Sequence, residues 1–279
     1  MIKITAKTKL LCVIGSPVSH SLSPPLQNRL ISEAGLKGEY AYAALEVKSG
    51  DAGLFLKSMK HFGIAGCNVT MPLKAEVIPY LDETDEEAKR YGAVNTVVNR
   101  GGVLYGYNTD GVGFLDSLDL CSVDTSGSVL ILGAGRAAGT AARALLKKGV
   151  SVCVCSREPP EFQAPGMSAI PWEAAREYAA NARLLVNATP LGMQGCGADF
   201  EDFGFVDALS KDAAVYDMIY APKETRLLMY TKSRGLKTIN GLPMLVCQAA
   251  ASFHHFTGKT VEKPKLTEIL RDLREKAYD

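Results

Sequence analysis

The segment that most restricts the fold is Val129-Leu130-Ile131-Leu132, followed at once by Gly133-Ala134-Gly135-Arg136-Ala137-Ala138. A short uncharged apolar run suits a buried strand, and the glycines suit a tight turn. The Ala- and Leu-rich stretch that ends near Gly149 suits a helix. In this context, G-x-G-x-x-G/A predicts a helix whose N-terminus offers free N–H groups and a positive dipole end to a pyrophosphate. Glycine in such a turn allows the backbone to approach the ligand closely. The bland alternative is a tight strand–helix turn that binds nothing.

The same alternation of short β-rich runs with longer helical ones extends over the whole chain, which predicts α/β architecture with open, mostly parallel sheets. Strands are expected at Leu10–Ile14, Tyr40–Val47, Ile64–Val69, Val94–Asn99 and Val103–Tyr107. The last two flank Arg100-Gly101-Gly102 as a hairpin. Ser23-Pro24 reads as a helix start with Ser at the N-cap, and Ala52–Phe62 as a helix. After a linking helix through Phe114 and Leu118, a second series of strands follows at Val129–Leu132, Val150–Cys155, Leu184–Asn187 and Ala213–Tyr216. Helices lie around Trp172–Ala180 and Glu224–Arg234, then from about Pro243 to Phe256 and from Lys265 to Lys276. At 279 residues the chain suits two domains. One is a substrate domain, residues 1–110 completed by 243–279, and the other a Rossmann-type dinucleotide domain, residues 111–242.

Composition excludes several functions. The net charge is +1, and no segment concentrates Lys and Arg as a nucleic-acid groove would. The tail after Lys263 alternates in sign like a solvated helix face. Seven cysteines, scattered and without a C-x-x-C pair, give neither a disulfide framework nor a zinc site. They suit a reducing, cytoplasmic compartment. The stretch from Lys3 through Lys7 and Lys9 to Gly15 reads as a first strand rather than a signal peptide. Thr238–Gly258 lacks formal charge but carries Asn240, Pro243, Gln248, Ser252, His254 and His255, too polar for lipid. His254 and His255 point roughly 100° apart on a helix, so they cannot share a metal. No metal site is expected.

The end of the second strand in the dinucleotide domain selects the nucleotide. NAD sites usually carry an acidic residue there, about 20 residues beyond the motif. Here the strand ends Cys155-Ser156-Arg157-Glu158. Arg157 can pair with a 2′-phosphate, while Glu158 would repel one if it pointed inward. NADP is favoured, with NAD as the alternative.

Four further motifs precede the glycine turn. They are His20-Ser21-Leu22-Ser23-Pro24, Gly66-Cys67-Asn68-Val69-Thr70-Met71-Pro72-Leu73-Lys74, Gly92-Ala93-Val94-Asn95-Thr96, and Gly106-Tyr107-Asn108-Thr109-Asp110-Gly111. Each follows a strand-like run or helix end, where open α/β sheets place ligand loops. Together they offer hydroxyls, amides, one cation and one carboxylate, a set suited to a small polyhydroxylated acid. Singly, Ser23 and Thr70 read as helix caps, Asn95 and Asn108 as turn residues, and Lys74 as a surface lysine.

These motifs, with Asn187-Ala188-Thr189-Pro190-Leu191-Gly192-Met193 and Gly241-Leu242-Pro243-Met244-Leu245-Val246-Cys247-Gln248-Ala249, resemble the shikimate dehydrogenases over about Gly15 to Gly258. The resemblance implies reversible NADP-linked reduction of 3-dehydroshikimate to shikimate, in aromatic amino acid (chorismate) biosynthesis. It places the substrate carboxylate on Ser21 and Ser23. Thr70, Lys74, Asn95, Asp110, Tyr220 and Gln248 would contact the rest of the substrate, with Lys74 and Asp110 as the catalytic pair. It seats the pyrophosphate on Gly133, Ala134, Gly135, Arg136 and Ala137, the adenosine phosphate on Ser156 and Arg157, and the nicotinamide near Met218 and Gly241. Glu86 matches a further position linked to cofactor binding. The chain departs from the family pattern at Gln27, where His is usual, at Ser156 and Glu158, and at Pro243, where Gly is usual. The rivals are an NAD-preferring quinate/shikimate dehydrogenase and a non-catalytic ligand-sensing relative, which should lack Lys74 or Asp110. The expected partner is the small-molecule substrate, with neither nucleic acid nor membrane, and the chain is expected as a monomer or homodimer.

Overall fold

The computed structural model describes residues 4–160 and 162–276. Lys3, and positions 277–279 of the segment expected to complete the first domain, lie outside them. The chain divides into two compact units. One takes the chain up to Gly113 together with Val246–Asp272, and the other takes Phe114–Leu245 and the chain from Leu273 onward. The breaks read from the sequence, 110/111 and 242/243, stand at the starts of helices, whereas the units change inside those helices. An element's first residue is visible in a sequence; which neighbours its later turns pack against is not.

In the first unit the elements run β1 (Lys9–Gly15), α1 (Ser23–Glu33), β2 (Tyr40–Glu46), α2 (Ala52–Phe62), β3 (Gly66–Val69), β4 (Glu83–Thr84), α3 (Glu86–Tyr91), β5 (Thr96–Arg100), β6 (Val103–Tyr107) and the start of α4 (Asp110–Leu120). The sheet order is β2-β1-β3-β5-β6-β4. β1 pairs in parallel with β2 and β3, and β4 with β6, while β5 runs antiparallel to both β3 and β6. The β5–β6 turn is the expected hairpin, with Arg100 opposite Val103. One sheet face packs Cys12, Ile14, Cys67 and Val69 against Leu56 and Met59 of α2. The strand order reverses at β1, so the loops after the parallel neighbours β1 and β3 emerge side by side at the carboxyl ends of the strands. Thr70 N–H donates to Ile14 O at 2.9 Å and Ser16 N–H to Met71 O at 3.2 Å.

The second unit continues with β7 (Ser128–Leu132), α5 (Arg136–Lys147), β8 (Val152–Ser156), β9 (Met167–Pro171), α6 (Ala175–Ala179), β10 (Ala182–Asn187), α7 (Gly204–Asp207), β11 (Ala214–Asp217), α8 (Arg226–Ser233), β12 (Lys237–Ile239) and the start of α9 (Leu242–Thr257). The last helix is α10 (Lys263–Lys276). Its strand order is β12-β11-β10-β7-β8-β9, and every pairing is parallel. That is the doubly wound Rossmann order, with its switch point between β7 and β10. Both sheet faces are covered. Val129 and Ile131 pack with Ala138, Ala142 and Leu145 of α5, and Leu130 and Leu132 pack on the opposite face with Ala175, Leu227 and Leu228. Burial on both faces explains why these strands read as unbroken apolar runs.

Two local expectations change. Ser23 is the first residue of α1 rather than its cap; Leu22 takes the cap position without a side-chain bond, and Ser21 Oγ accepts from Ser23 N at 3.2 Å. No helix begins at Pro72. Residues 71–77 form successive turns before a single 3-10 turn at Ile78–Tyr80. Pro72 removes one N–H from this stretch, and Thr70 contributes a carbonyl, which accepts from Leu73 N at 3.0 Å. Among the described residues no helix is long and apolar enough to cross a membrane.

Candidate active site

Beyond the carboxyl ends of β3 and β6, Lys74 Nζ lies 2.6 Å from Asp110 Oδ2, with side chains 26% and 21% exposed. The pair is therefore shielded yet still reachable by a ligand. Lys74 is held through its backbone, whose carbonyl accepts from Val94 N at 2.7 Å. Asp110 opens α4, where the N-terminal dipole end favours a carboxylate. Its N–H donates to Asn108 Oδ1 at 3.0 Å, and Asn108 is fixed in turn by donating to Ala93 O at 2.8 Å. Asn95 Nδ2 donates to Asp110 Oδ1 at 2.8 Å. Each carboxylate oxygen thus has one protein donor and keeps lone-pair capacity for a ligand hydroxyl.

Gln248 reaches the same region through a close crossing of α9 with the first turn of α4. A Cβ at Gly113 would overlap the backbone of Gln248, so glycine is what permits that approach. The Gln248 carbonyl accepts from Thr109 Oγ1 at 3.1 Å. Ser21 and Thr70 sit half-buried on the loops after β1 and β3, and Ser23 half-buried at the first position of α1. The structure therefore gathers Ser21, Ser23, Thr70, Lys74, Asn95, Asp110 and Gln248 within one unit. Glu86 stands apart at the start of α3, exposed and paired with Lys89 at 2.9 Å. Gln27 is buried; its Nε2 donates to Ala249 O at 3.1 Å and Asn68 Oδ1 at 3.4 Å, while its Oε1 has no partner among the described residues.

In the second unit the glycine turn stands at the switch point. Gly133 has φ +116°, and a Cβ there would press on Thr189 and Ala188 of the loop after β10. Its N–H donates to Cys155 O at 2.8 Å. Gly135 precedes α5 in extended conformation, with no side chain bonded at the cap and open space where a Cβ would stand. The first N–H groups of α5 thus face an uncrowded cradle, which fits a pyrophosphate. At the end of β8, Arg157 and Glu158 are exposed. Ser156 is buried, and its hydroxyl donates to Glu158 O, closing the loop on itself.

Sequence reasoning missed Asp217. It ends β11, fully buried, accepting from Thr225 Oγ1 at 2.6 Å, Asn187 Nδ2 at 3.0 Å and Ile219 N at 3.1 Å. Burial raises its carboxyl to about 6, against those lowering hydrogen bonds. It fixes the loop that carries Met218 and Tyr220. Met218 N donates to Asn187 O at 3.0 Å, and Gly241 N to Ile219 O at 2.9 Å, so Met218 and Gly241 are brought together. The signal was an acidic residue closing an otherwise apolar strand, Ala214-Val215-Tyr216-Asp217.

Comparison with known proteins adds independent findings. Residues 13–97 match the model of the shikimate dehydrogenase substrate binding domain, and 241–271 that of the shikimate 5'-dehydrogenase C-terminal domain. The chain is 40% identical to a shikimate dehydrogenase (NADP(+)) of Aquifex aeolicus, over 97% of this chain and 99% of that one. A shikimate 5-dehydrogenase of Thermus thermophilus, solved in complex with NADP(H) and shikimate, superposes with a TM-score of 0.83 at 36% identity, covering 95% of this chain and 99% of that one. A shikimate 5-dehydrogenase of Listeria monocytogenes, solved with shikimate and NAD, gives a TM-score of 0.83 at 32% identity, covering 96% and 98%.

Proposed function

The chain belongs to the shikimate dehydrogenase family, and from that premise we propose that it interconverts shikimate and 3-dehydroshikimate with NADP, Lys74 and Asp110 handling the proton. The observation that carries the reading is the 2.6 Å Lys74–Asp110 pair, clasped by Asn95 among loops rich in hydroxyls and amides. Bound NADP supplies the hydride acceptor for oxidation and, reduced, the donor for the return reaction. The residues of the chain do the rest. Ser21 and Ser23 hold the substrate carboxylate, and Thr70, Asn95, Tyr220 and Gln248 orient the ring. During oxidation Lys74 Nζ takes up the hydroxyl proton, and during reduction it returns that proton to the forming alkoxide. Asp110 accepts a hydrogen bond from the substrate hydroxyl and holds Lys74 Nζ against it. Gly133 to Ala137 and the α5 N-terminus take the pyrophosphate, Arg157 with Ser156 the adenosine phosphate, and Met218 with Gly241 the nicotinamide.

A second reading, an NAD-preferring quinate/shikimate dehydrogenase, is favoured by one observation: Glu158 stands exposed beside Arg157. A non-catalytic relative has no comparable support, because the charged pair is intact. The test is a spectrophotometric assay of shikimate and quinate, each with NADP and NAD. Shikimate with NADP is expected to dominate kcat/KM; dominance of NAD would overturn the nucleotide assignment, and no turnover in any pairing would overturn the activity. The reading places the enzyme in the cytoplasm. Sedimentation of the purified chain distinguishes monomer from homodimer.

A further inference from the structure

Behind Asn95 and Asp110 lies a buried run of polar side chains, Tyr42, Asn68, Ser252 and Thr96, that the mechanism above does not use, and its amide orientations are fixed by backbone partners. Asn95 Oδ1 accepts from Thr109 N at 3.0 Å. A backbone N–H can only donate, so the amide orientation is set and Nδ2 must face Asp110. Asn68 Nδ2 lies 3.1 Å from Asn95 O, a carbonyl that can only accept. Asn68 Oδ1 therefore takes the hydroxyl proton of Tyr42 at 2.8 Å. Asn68 Nδ2 also donates to Ser252 Oγ at 2.9 Å, Ser252 Oγ lies 2.8 Å from Thr96 Oγ1, and Thr96 Oγ1 donates to Asn95 Oδ1 at 2.9 Å. When the Thr96 proton is on Asn95 Oδ1, the Thr96–Ser252 bond takes its proton from Ser252. Ser252 Oγ has in reach both the Gln248 carbonyl of its own helix at 3.0 Å and Thr96 Oγ1 at the shorter 2.8 Å; with Thr109 Oγ1 supplying that carbonyl at 3.1 Å, the Ser252 proton can go to Thr96. One arrangement thus runs Tyr42, Asn68, Ser252, Thr96, Asn95, Asp110, with every donor pointing toward the carboxylate. Such aligned bonds polarise one another in a low dielectric, and Ser252 and Thr96 are fully buried.

Resting on the functional reading above, we propose that Ser252 is a positioning residue for the Lys74–Asp110 pair. From α9 it fixes Thr96, through Thr96 the Asn95 amide, and through Asn95 the carboxylate that holds Lys74. Amides do not relay protons here; the network orients and polarises. Ser252→Ala should lower kcat about tenfold while shikimate KM stays within about threefold, because Ser252 touches no substrate group. A purely structural serine would cost the same factor in any background, so the discriminating measurement is a cycle with Asp110→Asn. With the carboxylate charge removed, Ser252→Ala should cost less than about twofold. Thr96→Val, nearly isosteric, breaks the run one link nearer the carboxylate and serves if Ser252→Ala fails to fold; it should show the same background dependence. Equal fold-losses in both backgrounds, or unchanged kcat in both variants, would overturn the proposal. If the wild type turned over no shikimate, the functional reading would fail instead. The same cycle read in melting temperature would still decide the coupling, with additive shifts counting against it.

Discussion

The first unit builds its site from side chains that hold other side chains. Lys74 meets Asp110, Asp110 meets Asn95, and Asn95 is held by the Thr96 hydroxyl and the Thr109 N–H. The second unit builds its site mostly from backbone: a left-handed Gly133, an extended Gly135 and the open end of α5. A side-chain site can be dismantled one group at a time, and each removal should leave a kinetic trace. A backbone site offers few deletable groups, so the proposed reading rests its specificity on the few side chains at its rim, such as Arg157.

The contrast is broken most directly at Lys74. Removing a positioned acid/base group typically costs about 10²–10⁴ in rate. Lys74→Ala is expected to lower kcat by that order while shikimate KM stays within roughly tenfold, because the proposed substrate contacts of Ser21, Ser23 and Gln248 are left in place. Steady-state kinetics in both directions measure this. A near-wild-type kcat would remove Lys74 from the chemistry and leave the pair at 2.6 Å as a structural ion pair.

The same contrast explains what could be read from the sequence. The Rossmann type of the second unit and four of its strands followed from apolar runs and one glycine turn, because parallel strands buried on both faces have no polar positions to blur the pattern. Short edge elements did not stand out: β9, with its exposed residues, and the three-residue β12 carry too little periodicity. In the first unit, Lys74, Asn95 and Asp110 lay in quotable motifs, but their mutual distances arise from strands brought together by the sheet order. Ser252 was invisible for a plainer reason. A lone serine on an apolar helix looks like any other, and only the approach of α9 to β3 and β5 gives it partners.

A smaller effect sharpens the comparison from the other side, since the second unit does hold one side-chain cluster, around Asp217. Burial raises that carboxyl to about 6, whereas an unfolded aspartate titrates near about 3.9. Between about pH 4 and pH 6 the folded chain therefore binds a proton that the unfolded chain releases. Stability from this group falls as pH rises through that window and is level above it. At about 1.4 kcal/mol per pH unit, the full change is roughly 3 kcal/mol. Asp217→Asn cannot titrate, so its stability relative to wild type should rise by roughly 2–3 kcal/mol between pH 4 and pH 7, whatever its absolute cost. Urea denaturation at several pH values checks this. A difference that stays flat across the window would mean that Asp217 ionises normally in the fold.

The smallest expected effect falls at the rim of the backbone site. Arg157 is exposed, so its contribution is limited by solvent and salt, yet a charge-assisted phosphate pair contributes roughly 1.5–3 kcal/mol. Arg157→Ala should then raise the NADP KM roughly ten- to a hundredfold and leave NAD kinetics nearly unchanged. The loop itself should survive the change, because Ser156 closes it by donating to the Glu158 carbonyl without help from the guanidinium. Glu158→Gln should act in the opposite sense, lowering the NADP KM by a few-fold as one repulsive charge leaves. Raising the salt concentration should shrink both effects, since exposed charges are screened within about 10 Å at 0.1 M. Equal losses with NADP and NAD in Arg157→Ala would show that Arg157 shapes the loop rather than reading the phosphate. Nucleotide choice would then have to come from the glycine turn and its neighbours, and the division between a side-chain site and a backbone site would be complete.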